Sequence, residues 1–213
     1  MNIKQLIHES TDINSATEAE QIAAVSKIQS NIRYIDNPSE TVQLAAVRGR
    51  IGTDNMYAIQ FIPNPSEAVK LASLQYAGHS LRYIRKPSEE MKLAAVTQSG
   101  TAIRYIDKPS DQVKLVAVNS DSAALINIKN PSRELQLAGI NEFPFSIDYI
   151  KNPSDELVLL ACLGMVETCI KYPKMQQQFV MALRKYYKKR PHLDELKVIA
   201  DAAGITLKSA TSA

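Results

Sequence analysis

A Pro-Ser pair recurs along this chain at Pro38-Ser39, Pro65-Ser66, Pro87-Ser88, Pro109-Ser110, Pro131-Ser132 and Pro153-Ser154. The first step is 27 residues and the other four are 22. The phrase around the pair is copied with it: NIRYIDNPSETVQLAAV at Asn31–Val47, SLRYIRKPSEEMKLAAV at Ser80–Val96 and AIRYIDKPSDQVKLVAV at Ala102–Val118. A period this short holds one small supersecondary unit that cannot bury its own apolar face, so the units must stack. The register also runs outward. ATEAEQIAAV places Ala16-Thr17 one step before Pro38-Ser39, and IKYPKMQQQFVMAL (Ile170–Leu183) loosely copies IKNPSDELVLLAC after a shortened step.

Within a unit the apolar residues fall four, six, seven, eight and nine positions after the Pro, as in Val113, Leu115, Val116, Ala117 and Val118. A helix gathers these onto one broad face, whereas strict alternation, the mark of a strand, fails. The start of that helix is written into Pro-Ser-acid. Ser can cap orphan N–H groups, and Glu67, Glu89 or Asp111 favours the positive end of the helix dipole. Two alternatives stand here: Ser is the cap, or Pro is the first helical residue with Asn64 or Asn152 as cap. The second element, Ala102–Ile106 in one copy, has only six or seven residues before the next Pro. That length predicts a short α- or 3₁₀-helix, antiparallel to the first, with Ile103 and Ile106 turned inward.

The expected fold is therefore all-α: a right-handed helical-repeat solenoid of about eight two-helix units, about 22 residues each. It spans residues 16–172, with an N-terminal cap at 1–15, a C-terminal helical cap at 173–207 and a disordered tail at 208–213. In the C-terminal cap, MQQQFVMALRKYYKKRP reads as a longer helix stopped by Pro191, followed by a helix from about Leu193 to Ala203. Seven Gly in 213 residues disfavour a turn-rich β protein.

AAVTQSGTAIRYI with NPSEAVKLA resembles the short two-helix repeats of bacterial and bacteriophage proteins, a domain of unknown function with the signature A-V-x-Q-x-G-x-A-L-x-Y. It is similar, more distantly, to leucine-rich-variant and HEAT-like helical repeats. The likeness covers about residues 16–172 and departs from the signature at Ser122–Asn127 and Glu142–Phe145. It implies a binding module, such as a phage or bacterial modulator or inhibitor occupying a host protein, and it carries no catalytic residue.

The residues point away from chemistry as well. His8, His79 and His192 are scattered, without metal-ligand spacing, and RGRIGTDN lacks the G-K-[ST] of a phosphate loop. Capping accounts for the repeated Ser and dipole compensation for the acids that follow it. No enzyme and no cofactor is expected. A net charge of +3 does not by itself announce nucleic acid. Cys162 and Cys169 read as reduced, packed thiols, and no signal peptide or apolar run of about 18 residues is present. A cytoplasmic monomer or weak homo-oligomer is expected, in the host cytoplasm if phage-encoded, without a membrane partner.

Binding is expected where the repeat breaks its own rule. The five extra residues of the long step fall within Arg48–Tyr57, a neutral loop or a contact loop using Arg48 and Arg50. The residue after the repeated Ile reads Arg33, Gln60, Arg82, Arg104, Ile126, Asp148, beside an aromatic row Tyr34, Phe61, Tyr83, Tyr105, Asn127, Tyr149. The residue five after Pro reads Gln43, Lys70, Lys92, Lys114, Gln136, Val158. A third cluster, Arg184, Lys185, Lys188, Lys189 and Arg190, is either a favourable helix C-terminus or a basic contact. Arg–Tyr surfaces suit a protein partner, the favoured reading; basic rows with aromatics also suit nucleic acid, the alternative.

Overall fold

The computed structural model describes residues 13–49, 51 and 57–207. Arg50, most of the 1–15 cap and the tail from 208 lie outside the described residues. The chain divides into two compact units, Met1–Pro109 and Ser110–Ala213, with the division inside the repeated stretch. All regular elements among the described residues are helical, α-helices alternating with 3₁₀-helices.

In the first unit a short 3₁₀ turn, η1 (Ile13–Ser15), leads into α1 (Glu18–Lys27), η2 (Gln29–Tyr34), α2 (Glu40–Arg48), η3 (Ala58–Phe61), α3 (Glu67–Tyr76), η4 (Gly78–Tyr83), α4 (Glu89–Gln98) and η5 (Gly100–Tyr105). Each α-helix packs on the next, and η2 to η5 likewise form their own row. The second unit holds α5 (Asp111–Ser120), η6 (Ser122–Asn127), α6 (Arg133–Glu142), η7 (Pro144–Tyr149), α7 (Asp155–Lys171), η8 (Pro173–Met175), α8 (Gln176–Lys189) and α9 (Asp194–Ala202).

Of the two ways to start the helix, the structure takes the Ser cap. Ser39, Ser66, Ser88, Ser110, Ser132 and Ser154 are all N-caps, each hydroxyl accepting the N–H of the residue three further on. The Asn or Lys two residues earlier has another task. Asn37, Asn64, Lys86, Lys108, Asn130 and Asn152 all adopt φ of 49–52°, the left-handed conformation that turns the chain from the 3₁₀-helix into the next cap. Asn tolerates that region better than Lys does. The repeat is thus visible in the backbone, register for register.

The buried face is narrower than the apolar pattern suggests. Positions four, eight and nine after Pro are buried in every full copy, as with Val113, Ala117 and Val118. Positions six and seven are mostly half-buried, as are Leu115 and Val116, and Leu160 is exposed. Positions four, eight and nine span an arc of about 140° at 3.6 residues per turn, and position five falls inside it. Ile103 and Ile106 turn inward as expected, at 2% and 7% exposure. Close packing also explains the signature Gly: a Cβ on Gly78 would stand 2.3 Å from the Ala95 carbonyl oxygen.

The last repeat departs from the pattern. Earlier α-helices stop at Ala77-Gly78, Ser99-Gly100, Asp121-Ser122 and Phe143-Pro144, where the chain turns extended before the 3₁₀-helix. Met165-Val166 carries no Gly, Pro or capping side chain, so α7 runs on through Lys171 and absorbs the segment where a second short helix was expected. Cys162 and Cys169 both lie on it as free thiols. Burial pushes the Cys162 thiol up to about 12, which keeps it protonated.

Candidate binding face

A 3₁₀-helix has three residues per turn, so residues three apart eclipse one another. In η4 this puts His79 behind Arg82, and in η5 Thr101 behind Arg104. Tyr57 holds the same place relative to Gln60 of η3. Because η3, η4 and η5 pack in order, the two rows mesh between repeats. The Arg82 guanidinium lies over its neighbour's ring, 4.6 Å from the Tyr83 centroid, and 5.5 Å from that of Tyr57 in the preceding repeat. Tyr57 and Tyr83 themselves are 6.3 Å apart, centroid to centroid. One repeat on, His79 meets the Tyr105 ring edge-on at 5.9 Å and shares a hydrogen bond of 3.2 Å with Thr101 Oγ1.

The device is built twice. Arg33 stands 4.7 Å from the Tyr34 centroid and donates from Nη2 to the Tyr34 hydroxyl at 2.7 Å. Arg82 donates from Nη2 to the Tyr83 hydroxyl at 2.5 Å. Arg104 is braced differently, its Nε donating to the Thr101 carbonyl at 3.3 Å. All three arginines are exposed. Burial, then the Arg104 and Arg82 charges, hold the His79 imidazole below its ordinary pKa of 6.5, so it is neutral at pH 7. The positive charge of this face therefore resides in guanidiniums held in place, Arg33 and Arg82 over aromatic rings and Arg104 on a backbone carbonyl, an arrangement that loses little side-chain freedom on binding.

The lysine row fares otherwise. Lys70, Lys92 and Lys114 pair with the acid three residues earlier in their own first turn: Glu67 at 2.8 Å, Glu89 at 3.1 Å and Asp111 at 2.8 Å. Their side chains are only 23–27% exposed. Position five lies within the buried arc, so the stem packs and the ammonium snorkels back to the carboxylate. These lysines are the expected residues in an unexpected state, neutralised locally.

Arg48 is exposed in the last turn of α2, at the start of the long step. The ends of that step are held by a residue the repeat pattern gave no reason to single out. Gln29, 1% exposed, donates to the Gly49 carbonyl at 2.7 Å and accepts the Ala58 N–H at 3.0 Å. The terminal cluster is divided. Lys185 pairs with Asp148 at 2.7 Å, and Arg190 pairs with Asp155 at 2.7 Å and donates to the Pro153 carbonyl. Arg184, Lys188 and Lys189 remain exposed on α8.

In the second unit the row that carries Arg in the first reads Ile126, which is 63% exposed, and Asp148. Among the described residues no group of three or more His, Cys, Asp or Glu is placed to hold a metal ion, and no helix is long and apolar enough to cross a membrane. No family model, curated protein or solved structure matches this chain.

The expected residues Arg82 and Arg104 are thus brought together with His79, Thr101 and Tyr57, which pattern reading passed over. The signal lay in the period: all three stand three residues before the Arg row.

Proposed function

We propose that this chain is a non-enzymatic binding protein, each compact unit a stretch of helical-repeat solenoid, and that the Arg–Tyr face of the first unit engages another protein. The observation that carries the reading is the repeated clamp of an exposed guanidinium on its neighbouring Tyr at Arg33 and Arg82. Arg and Tyr are favoured anchors of protein interfaces, and a pre-oriented Arg gives up less freedom when it docks. The family resemblance adds the role, a cytoplasmic modulator or inhibitor that occupies a host protein, of bacterial or phage origin.

Nucleic acid is the second reading, favoured by the exposed Arg184, Lys188 and Lys189. It is weakened by the ion pairs that neutralise Lys70, Lys92 and Lys114.

A photo-crosslinking residue placed at Tyr83, and separately at Asn127, separates the two in the native cell. The expected product is a protein adduct from position 83, competed by excess wild-type chain and not by the Arg82→Ala/Arg104→Ala variant. A nucleic-acid adduct, or equal adducts from both positions, would overturn the proposal.

A further inference from the structure

We propose that the Arg–Tyr face reads an extended acidic peptide segment whose carboxylates are three residues apart, one at Arg82 and the next at Arg104. This rests on the reading of that face as the binding surface and adds the chemistry of the occupant.

The spacing follows from the fold. Arg82 and Arg104 occupy one register position of η4 and η5, which pack side by side. Neighbouring helices lie roughly 8–10 Å apart. An extended chain in the polyproline II conformation rises about 3.1 Å per residue with three residues per turn, so residues three apart stand roughly 9 Å apart on one side of it and cover one repeat. A helical ligand would need about six residues for the same distance, placing successive acids on different sides of it. Gln60 interrupts the row with a neutral side chain, and Arg33 resumes it two repeats before Arg82.

The guanidiniums are prepared for carboxylates. Arg82 is exposed, its Nη2 donates to Tyr83 and its guanidinium also hydrogen-bonds Tyr105, which holds in place a planar fork of donors of the kind that fits a carboxylate in two-point contact. The rings of Tyr57, Tyr83 and Tyr105 line the same strip and offer apolar surface to the side chains between the acids.

Charge favours a peptide over a nucleic acid. Residues 1–109 contain 12 Lys and Arg against 11 Asp and Glu, so the positive field is local to the Arg row. Lys70 and Lys92 are already answered by Glu67 and Glu89. Three guanidiniums fall well short of the roughly 6–10 phosphate contacts of a strong duplex binder. They match a short segment with two or three carboxylates.

Fluorescence anisotropy on the full chain tests this with four labelled probes at low salt. One is a ten-residue Gly/Ser peptide with Glu at every third position. The second is its isomer with the Glu adjacent, the third replaces Glu by Gln, and the fourth is a short oligothymidylate. The spaced peptide is expected to bind at least about tenfold tighter than the clustered isomer, and the Gln peptide not at all. Arg82→Gln and Arg104→Gln should each weaken the spaced peptide about tenfold with unchanged thermal melts, while Lys188→Gln should leave it unaltered. Equal affinity for spaced and clustered peptides, indifference to the Arg variants, or preference for the oligothymidylate would overturn the inference. If the peptides fail but position 83 still gives an Arg-dependent protein adduct, the broader reading stands and only the occupant is wrong.

Discussion

The two halves of this chain repeat one phrase and use its variable positions for opposite purposes. In the first unit three of the four residues after the repeated Ile or Leu are Arg33, Arg82 and Arg104, exposed and braced by Tyr or by backbone, the fourth being Gln60. In the second unit the corresponding Asp148 is occupied internally, accepting from the Tyr186 hydroxyl and from Lys185 of α8. One half presents a charged row; in the other Ile126 stands exposed and Asp148 seats the terminal helix. The constant positions differ little between them, since both halves bury positions four, eight and nine and cap every helix that follows a Pro-Ser pair with that Ser. A repeat therefore separates building residues from residues free to acquire a task.

Four experiments test how far that contrast holds. The largest effect belongs to the long step of the first unit, which has no counterpart in the regular second unit. Gln29→Leu leaves the buried Ala58 N–H and Gly49 carbonyl without their partner and should cost about 3 kcal/mol in urea unfolding. A change within experimental error would show that the step needs no clamp.

The next compares like with like. Asp148→Ala removes the acceptor of Tyr186, a residue only 4% exposed whose hydroxyl burial and the Asp148 charge push far up in pKa. It should cost about 2 kcal/mol. Arg82→Ala, at the same register, should change stability by less than about 0.5 kcal/mol. Equal costs would erase the division between a presenting row and a seating row.

The linkers give a gain. The first unit places Lys86 and Lys108 as well as Asn37 and Asn64 in the left-handed conformation, where the second uses Asn alone, at Asn130 and Asn152. Lys86→Asn with Lys108→Asn should raise stability by about 1 kcal/mol together, and Asn130→Lys should lower it by about half that. Calorimetric melts of the three proteins decide it; no rise in the double variant would show that the flanking Pro already absorbs the strain.

The smallest effect is one of acidity. Hydrogen bonds from His192 and then Arg190 hold the Asp155 carboxyl below its ordinary 3.8, and hydrogen bonds from the Thr17 backbone and hydroxyl do the same for Glu20 in the first unit. Both depressed groups contribute stability present above the usual carboxylate range and lost as pH falls below it. Because both are fully exposed, the loss should be slight. Asp155→Asn should flatten the acid limb of the unfolding curve between about pH 4 and 2, and an unchanged limb would remove Asp155 from the account.

Much of this was legible in the letters. Fixed spacing of Pro-Ser and of Ile, Leu and Val suffices for helix starts, short second elements and the inward face, because caps and amphipathic periods are local rules. The candidate face was half legible: Arg82, Arg104 and the Tyr row stand out, while Tyr57 and His79 differ in type and hide their common register. Gln29 was invisible, since its partners are backbone groups 20 and 29 residues away.

What the sequence determined by itself is the period, the Pro-Ser starts of the repeated helices and the all-helical class, since each depends on residues close in the chain; that Ser rather than the preceding Asn is the cap was decided by the fold. What only the tertiary structure decided is the electrostatic state of those residues. Packing turned the lysine at position five into the buried arc and onto its own acid, drew Asp148 to Tyr186, and left Arg33 and Arg82 of the first unit fixed over their rings. Charge is written in the sequence; which charges remain to meet a partner depends on what folding places beside them.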